Sequence, residues 1–198
     1  MVCNTCVAPP GPYAEPIMLW PFNHFRKPRV ASRGTIEAIY GMIVTQAREP
    51  LFYRDLGVPD TANGRFDLLL LHLWMVLRHL RSLPEGSELS QALFDHFCAD
   101  MDANLREMAV GDLAVPKKMQ AVGEAFYGRA AAYDTALANG PEALSRAICR
   151  NVLDGGNVEA ARRLAAYARE AMASLEKESD VARLGRHWVF PPPQTAGT

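Results

Sequence analysis

The sequence predicts an all-α fold, a single-domain bundle of about six helices with flexible N- and C-terminal tails. Three observations predict it. Apolar residues recur at every third or fourth position in one window after another between residues 35 and 175. Turn-forming Gly and Pro punctuate those windows, at Pro50, Pro84, Gly86, Gly111, Pro116, Gly140, Pro141, Gly155 and Gly156. No stretch of strand length alternates cleanly between apolar and polar residues, and no repeat of fixed period is present.

The elements follow in order. Ile36, Ile39, Tyr40, Ile43, Val44 and Ala47 share one face of a helix that starts near Thr35 and that Pro50 ends. Residues 50–60 hold too many turn formers for regular structure, and Asp60 or Thr61 caps the next helix. That helix, residues 61–82, spreads Phe66, Leu69, Leu70, Leu73, Trp74, Leu77 and Leu80 over more than one stripe, which places it in the middle of a bundle. Residues 87–108 form another, with Leu89, Leu93, Phe97, Met101, Leu105 and Met108 along one side. Pro116 suits a first helical position, and Met119, Val122, Phe126, Ala130, Tyr133 and Leu137 step onward from it. Gly140 and Pro141 restart the chain, and Leu144, Ile148 and Val152 continue the period. Gly155 and Gly156 stop it, and Asn157 caps a last helix. Its seam is Val158, Ala161, Ala165, Ala168, Met172 and Leu175, where small alanines admit a close neighbour. The chain thus divides into an arm over 1–32, a helical domain over 33–185 and a tail from 186, whose end FPPPQTAGT reads as disordered.

A chain of 198 residues buries enough surface to need no disulfide staples. Its formal net charge of −1 excludes a binder whose whole surface is basic, so no nucleic-acid specificity is expected. The longest nearly apolar run, residues 68–77 interrupted by His72, is about half the length that crosses a bilayer as a helix. No signal-peptide pattern opens the chain, so a cytoplasmic location is expected. The arm carries Trp20, Phe22 and Phe25, then Arg26, Lys27 and Arg29. It has two readings: an anchor on an anionic membrane surface, peripheral at the inner membrane, or an arm whose aromatics staple onto the domain.

Little in the sequence points to catalysis. Cys3 and Cys6 form a lone C-x-x-C without the second ligand pair of a zinc site, and Cys98 and Cys149 sit in apolar helical patterns as packing residues. His72 and His79 are seven apart on one helical face, and His96 and Asp100 are four apart. They read as histidines that bond to neighbours at a helix surface. The competing reading is an axial ligand in a carrier of haem or quinone, with His72 or His79 as the ligand. The acidic run Asp95, Asp100, Asp102, Glu107 and Asp112 has Arg106, Lys117 and Lys118 at hand and reads as solvated faces and ion pairs. Phosphate-binding and nucleophile motifs are absent. No enzyme activity, catalytic residue, metal or cofactor is therefore expected.

Four stretches carry a resemblance. The first is Phe52-Tyr53-Arg54-Asp55-Leu56-Gly57-Val58-Pro59-Asp60-Thr61, followed by Asn63-Gly64-Arg65-Phe66-Asp67. The second is Leu71-His72-Leu73, leading to Leu77-Arg78. The third is Asp100-Met101-Asp102, then Leu105-Arg106-Glu107-Met108, Val110-Gly111-Asp112 and Val115-Pro116-Lys117. The fourth is Ala125-Phe126-Tyr127-Gly128-Arg129-Ala130 with Tyr133. Together, over roughly residues 33–175, they resemble the ubiquinol–cytochrome c chaperone family, which assembles the respiratory cytochrome bc complex. The resemblance implies an all-helical assembly chaperone without catalytic residues. It also implies newly made cytochrome b as client, held near the ribosome exit region. One departure is Ala109, where the family is expected more often to carry glycine; its methyl group is minor in helical backbone and costly at positive φ. Arg, Tyr and Phe in an irregular loop suit an interface. The client surface is accordingly expected around Phe52, Tyr53, Arg54, Asp55, Asp60 and Arg65, with Arg106, Asp112, Lys117, Tyr127 and Arg129 nearby. The alternative explanation is that Arg54, Asp55, Asp60 and Arg65 only pin their loop and that Gly128 only admits a neighbouring helix.

Overall fold

The computed structural model describes residues 33–84, 86–179, 184–185 and 187–193. The arm residues Trp20, Phe22, Phe25, Arg26, Lys27 and Arg29, and Cys3 and Cys6 with them, lie outside the described residues. Among those described, all regular structure is helical: α1 (Arg33–Ala47), α2 (Pro50–Arg54), α3 (Ala62–Ser82), α4 (Gly86–Glu107), α5 (Val115–Ala138), α6 (Pro141–Val152) and α7 (Val158–Leu175). Six of these are the expected bundle helices, and the five-residue α2 is an addition.

The short α2 corrects the expectation of an irregular stretch after Pro50. Pro50 takes the first helical position, where its fixed φ is already helical and its missing N–H costs nothing. The turn then drives Phe52 to zero exposure, with Leu56 and Val58 buried behind it. Burial of these three side chains stabilises a segment whose local composition would leave it irregular; a buried aromatic or aliphatic side chain contributes about 1.5–3 kcal/mol.

Between the two candidate caps, Thr61 caps α3: its Oγ1 accepts from the Gly64 N–H at 3.1 Å. Asp60 is left free to pair with Arg65. The cap also fixes the identity of Gly64, because a β-carbon there would lie 2.1 Å from the Pro59 carbonyl oxygen. Beyond it α3 runs through the centre, packing on α1, α4, α5, α6 and α7. Leu68, Leu70, Leu71, Leu73, Trp74, Met75, Val76, Leu77 and Leu80 are all buried, as a helix apolar on more than one stripe requires. Asn157 caps α7 as expected, its Oδ1 accepting from Glu159 and Ala160 N–H. Along α7, Ala161, Ala165 and Ala168 are buried, but Val158 at the first turn is exposed rather than in the seam.

The end of α4 departs from the simple period. The helix stops at Glu107, Ala109 takes a positive φ of 57°, and the Val110 N–H reaches back to the Leu105 carbonyl while Ala109 N–H bonds Arg106. This is a Schellman closure with Ala109 in the left-handed position that glycine usually fills. The methyl group flagged in the sequence therefore sits at the costly conformation. The reversal swings Met108 out to 73% exposure instead of along the apolar side, and leaves Leu113 at 99%.

Residues 184–185 and 187–193 also differ from a free tail. Leu184, Trp188 and Phe190 are buried. Trp188 Nε1 donates to Ser174 Oγ at 3.0 Å, Gln46 donates to the Pro191 carbonyl at 3.3 Å, and the Phe190 ring meets His72 edge-on at 5.0 Å. The segment closes over α1, α3 and α7.

Candidate functional site

The residues expected at a client surface fall in three places rather than one. At the end of α1, along α2 and at the start of α3, a cleft of about 470 Å³ is lined by Tyr53, Arg54, Asp60 and Arg65, joined by Arg48 and Pro50. Tyr53 is tied to α1 and to Arg65. The hydroxyl donates to the Ala47 carbonyl at the end of α1, and the Arg65 guanidinium lies 5.8 Å from the ring centroid. Arg65 Nε is 2.7 Å from Asp60 Oδ1, and that guanidinium holds the Asp60 carboxyl below its ordinary range. Arg54 Nε reaches Asp55 at 3.4 Å, while Arg163 from α7 donates to the Asp55 backbone carbonyl. Arg48 forms no ion pair with a described residue. Three guanidiniums thus rim a cleft that holds one lining carboxylate. The pairing of Arg65 with Asp60 gives the loop-pinning explanation a share, and only a share, because exposed pairs of this kind stabilise weakly.

Phe52 is not part of that surface. It is fully buried, edge-on to His72 at 5.3 Å and Tyr167 at 5.0 Å. Arg106 and Asp112 lie at the α4–α5 corner, where Arg106 bridges Asp102 and Asp112 at 2.7 Å each. Lys117 is exposed in the first turn of α5 beyond it. The two apolar side chains most exposed in this corner, Met108 and Leu113, were not singled out by sequence reasoning, which placed one on the core side and passed over the other. Tyr127 and Arg129 belong to the middle of α5. Tyr127 is 41% exposed over Phe94 and Phe126. Arg129 bridges to Asp67 of α3 at 2.6 Å in a half-buried pair; burial raises the Asp67 carboxyl above its ordinary range and Arg129 opposes the rise. Gly128 has nothing within 4 Å of the place where a β-carbon would sit, so it does not admit a neighbouring helix.

The acidic run behaves as solvated faces and ion pairs. Asp100 accepts from the buried Tyr40 hydroxyl at 2.6 Å, Asp95 accepts from Gln91, and Asp102 and Asp112 hold Arg106. Burial and Asp100 push the Tyr40 hydroxyl far up, so it stays a donor.

His72, expected at a helix surface, is fully buried. Its Nδ1 lies 2.8 Å from the Leu68 carbonyl, which only accepts, so Nδ1 carries the proton. Nε2 is then bare and accepts from the Tyr167 hydroxyl at 2.9 Å, and Tyr167 in turn accepts from Gln46 at 3.1 Å. Both ring nitrogens are committed, so His72 offers no axial position to a haem. No group of three or more His, Cys, Asp or Glu that could hold a metal gathers among the described residues. No helix there is long and apolar enough to cross a membrane.

Comparison with known proteins gives these features a context. The family model "Ubiquinol-cytochrome C chaperone" matches residues 54–190. The ubiquinol-cytochrome c reductase complex assembly factor 1 of Drosophila melanogaster is 24% identical over 155 residues, covering 72% of this chain and 58% of that protein. The mitochondrial protein CBP3 of Saccharomyces cerevisiae is 29% identical over 108 residues, covering 52% of this chain and 32% of that protein. The chain thus spans between about a third and three-fifths of the length of these curated relatives. The crystal structure of the Cbp3 homolog from Brucella abortus superposes with a TM-score of 0.72 at 34% identity, covering 82% of this chain and 92% of that one. A helical body of matching fold and a family match running from the cleft's Arg54 to the buried Phe190 agree: the chain belongs to the ubiquinol–cytochrome c chaperone family.

Proposed function

We propose that the chain is an assembly chaperone of the cytochrome bc complex that holds newly made cytochrome b until its partners arrive. The observation that carries this reading is the family match over residues 54–190, which includes Arg54, Asp60 and Arg65 of the cleft and the exposed α4–α5 corner. Unassembled membrane helices present apolar faces joined by polar loops. Tyr127, Met108 and Leu113 offer apolar contact at three exposed points. Arg54, Arg65 and Arg48 offer charge-assisted hydrogen bonds to a loop of the client, with Tyr53 beneath them. In this reading Asp55, Asp60, Asp112 and Lys117 orient the client at the rim, and Arg129 holds α5 against α3 behind Tyr127. Action near the ribosome exit, cytoplasmic placement and contact of the arm with the inner membrane belong to the same proposal.

A photo-crosslinking side chain placed at Arg54 and, in a separate chain, at Leu113 tests the reading in growing cells. Cytochrome b is expected in the crosslinked product from at least one position and in less of it from a control position on the outer face of α6, such as Arg146. Crosslinks that never contain cytochrome b at either position overturn the client assignment. A deletion strain that builds the complete complex at normal levels overturns the chaperone role as well.

A further inference from the structure

The cleft at the end of α1 holds an imbalance of charge. Among the described residues Arg48, Arg54 and Arg65 line it, and Asp60 is the one carboxylate that does. A guanidinium carries five N–H donors in a fixed fork and no acceptor. Arg48 has no ion pair among the described residues, and Arg54 reaches Asp55 only through a long contact of 3.4 Å. Arg65 pairs with Asp60 at 2.7 Å, and both side chains of that pair stay largely exposed. Burial raises the Tyr53 hydroxyl, Arg65 and Arg48 oppose the rise and Asp60 adds to it, so both cations stand within electrostatic reach of one ring. The cap of α3, the other task open to Asp60, belongs to Thr61. Asp60 therefore serves Arg65 alone, in an exposed pair that opens readily.

The guanidiniums select an anion, and the surroundings select its source. Arginine forks bind carboxylate and phosphate oxygens in pairs. At about 470 Å³ the cleft is larger than one such group needs and is of a size that holds several groups together. A site on a lipid surface pairs basic residues with apolar side chains that enter the bilayer. Among the described residues the large apolar side chains that stand exposed are Met108, Leu113, Tyr127, Val158 and Val189, and none of them lines the cleft. A nucleic-acid site needs a basic stripe, whereas Glu49 and Asp55 flank this one along the chain and the net charge is −1. What fits is a stretch of polypeptide with acidic side chains, whose carboxylates meet the forks and whose backbone fills the remaining space beside Pro50 and Tyr53.

We infer that the cleft takes an acidic segment of a partner polypeptide, with Arg48 and Arg54 as open places and Asp60 holding the third place, at Arg65, until a carboxylate of that segment replaces it. Asp60 thereby sets a threshold at the rim, because a ligand must bring more than one carboxylate to displace it. The inference rests on the reading that the chain holds another polypeptide and adds the chemistry of the contact. The test uses the full chain and a short glycine peptide carrying two aspartates and a neutral dye, with its asparagine counterpart, followed by fluorescence anisotropy. The aspartate peptide should bind, the asparagine peptide should not, and added salt should weaken binding. Arg48→Gln and Arg65→Gln should each weaken it by about tenfold. Asp60→Asn should tighten it by about threefold, while Glu142→Gln, the same change of charge on exposed α6, should leave it unchanged. Equal binding of the two peptides, unchanged affinity in an Arg48→Gln, Arg65→Gln double variant that melts like the parent, or no tightening in Asp60→Asn would each overturn the assignment. So would flotation of the chain on phosphatidylserine vesicles that the same double variant abolishes. No cytochrome b enters the assay, so its outcome is independent of the crosslinking that tests the client.

Discussion

Lowering the pH from 7.5 to 5 should destabilise the bundle through one side chain at its centre. His72 completes a directional chain: Gln46 donates to Tyr167, Tyr167 donates to His72 Nε2, and His72 Nδ1 donates to Leu68. Only the neutral ring fits, because a proton on Nε2 would turn it against the hydrogen of Tyr167. Burial accordingly depresses the His72 pKa from 6.5 to about 4, with the bond to Leu68 opposing. The unfolded chain therefore takes up a proton before the folded one does. The stability contributed by neutral His72 is complete above pH 6.5, falls away as pH drops through the interval down to about 4, and is gone below it. The full difference corresponds to about 3 kcal/mol, and about 2 kcal/mol of it should be lost by pH 5. Urea unfolding followed by far-UV circular dichroism measures this, in parent and in His72→Gln, which cannot titrate. The variant should be less stable at pH 7.5 and should lose less on acidification. If the two proteins lose stability in parallel between pH 7.5 and 5, the ring takes no part in the acid response and the hydrogen-bond directions assigned above are wrong.

Three substitutions probe the backbone. Ala109→Gly removes a methyl group from a left-handed position, a strain of about 1–2 kcal/mol, against about 0.4–1 kcal/mol of added freedom in the unfolded chain; a net gain of about 0.5–1 kcal/mol is expected in thermal melts. Gly64→Ala drives a β-carbon into the Pro59 carbonyl and should cost about 2 kcal/mol or more, read as a fall in the urea midpoint. Gly128→Ala meets open space inside α5 and should stabilise by about 0.5–1 kcal/mol; a loss of client crosslinking in the stabilised variant would mark that bare spot as a contact.

The six long helices were legible because each buries a face at a period of 3.6, and the Thr61 and Asn157 caps announce themselves by residue type. The parts that were not legible depend on what lies across the molecule. Pro50 presets only the first position of α2; the turn holds because Phe52 finds His72 and Tyr167 beneath it. Met108 continues the apolar period of α4, but the chain has already reversed, so periodicity alone puts it on the wrong side. Trp188 and Phe190 precede a run of prolines and look like a tail until Ser174 and His72 are placed under them. In the cleft, Tyr53, Arg54, Asp60 and Arg65 were visible as residue types ill suited to packing. Arg48 was missed because it closes α1 and looked like an ordinary basic helix end. Phe52 was included because an aromatic beside Tyr and Arg cannot be told from a buried one without the fold.

The closing of residues 187–193 over α1, α3 and α7 has a bearing on how the chain matures. On α1, the Gln46 side-chain amide donates to the Tyr167 hydroxyl of α7 and to the Pro191 carbonyl, both of which are made well after α1. α1 therefore completes these contacts only after α7 and residues 187–193 are in place, when the Phe190 ring also reaches His72. The hydrogen-bond chain at the centre of the bundle thus closes only when the ends of the sequence meet.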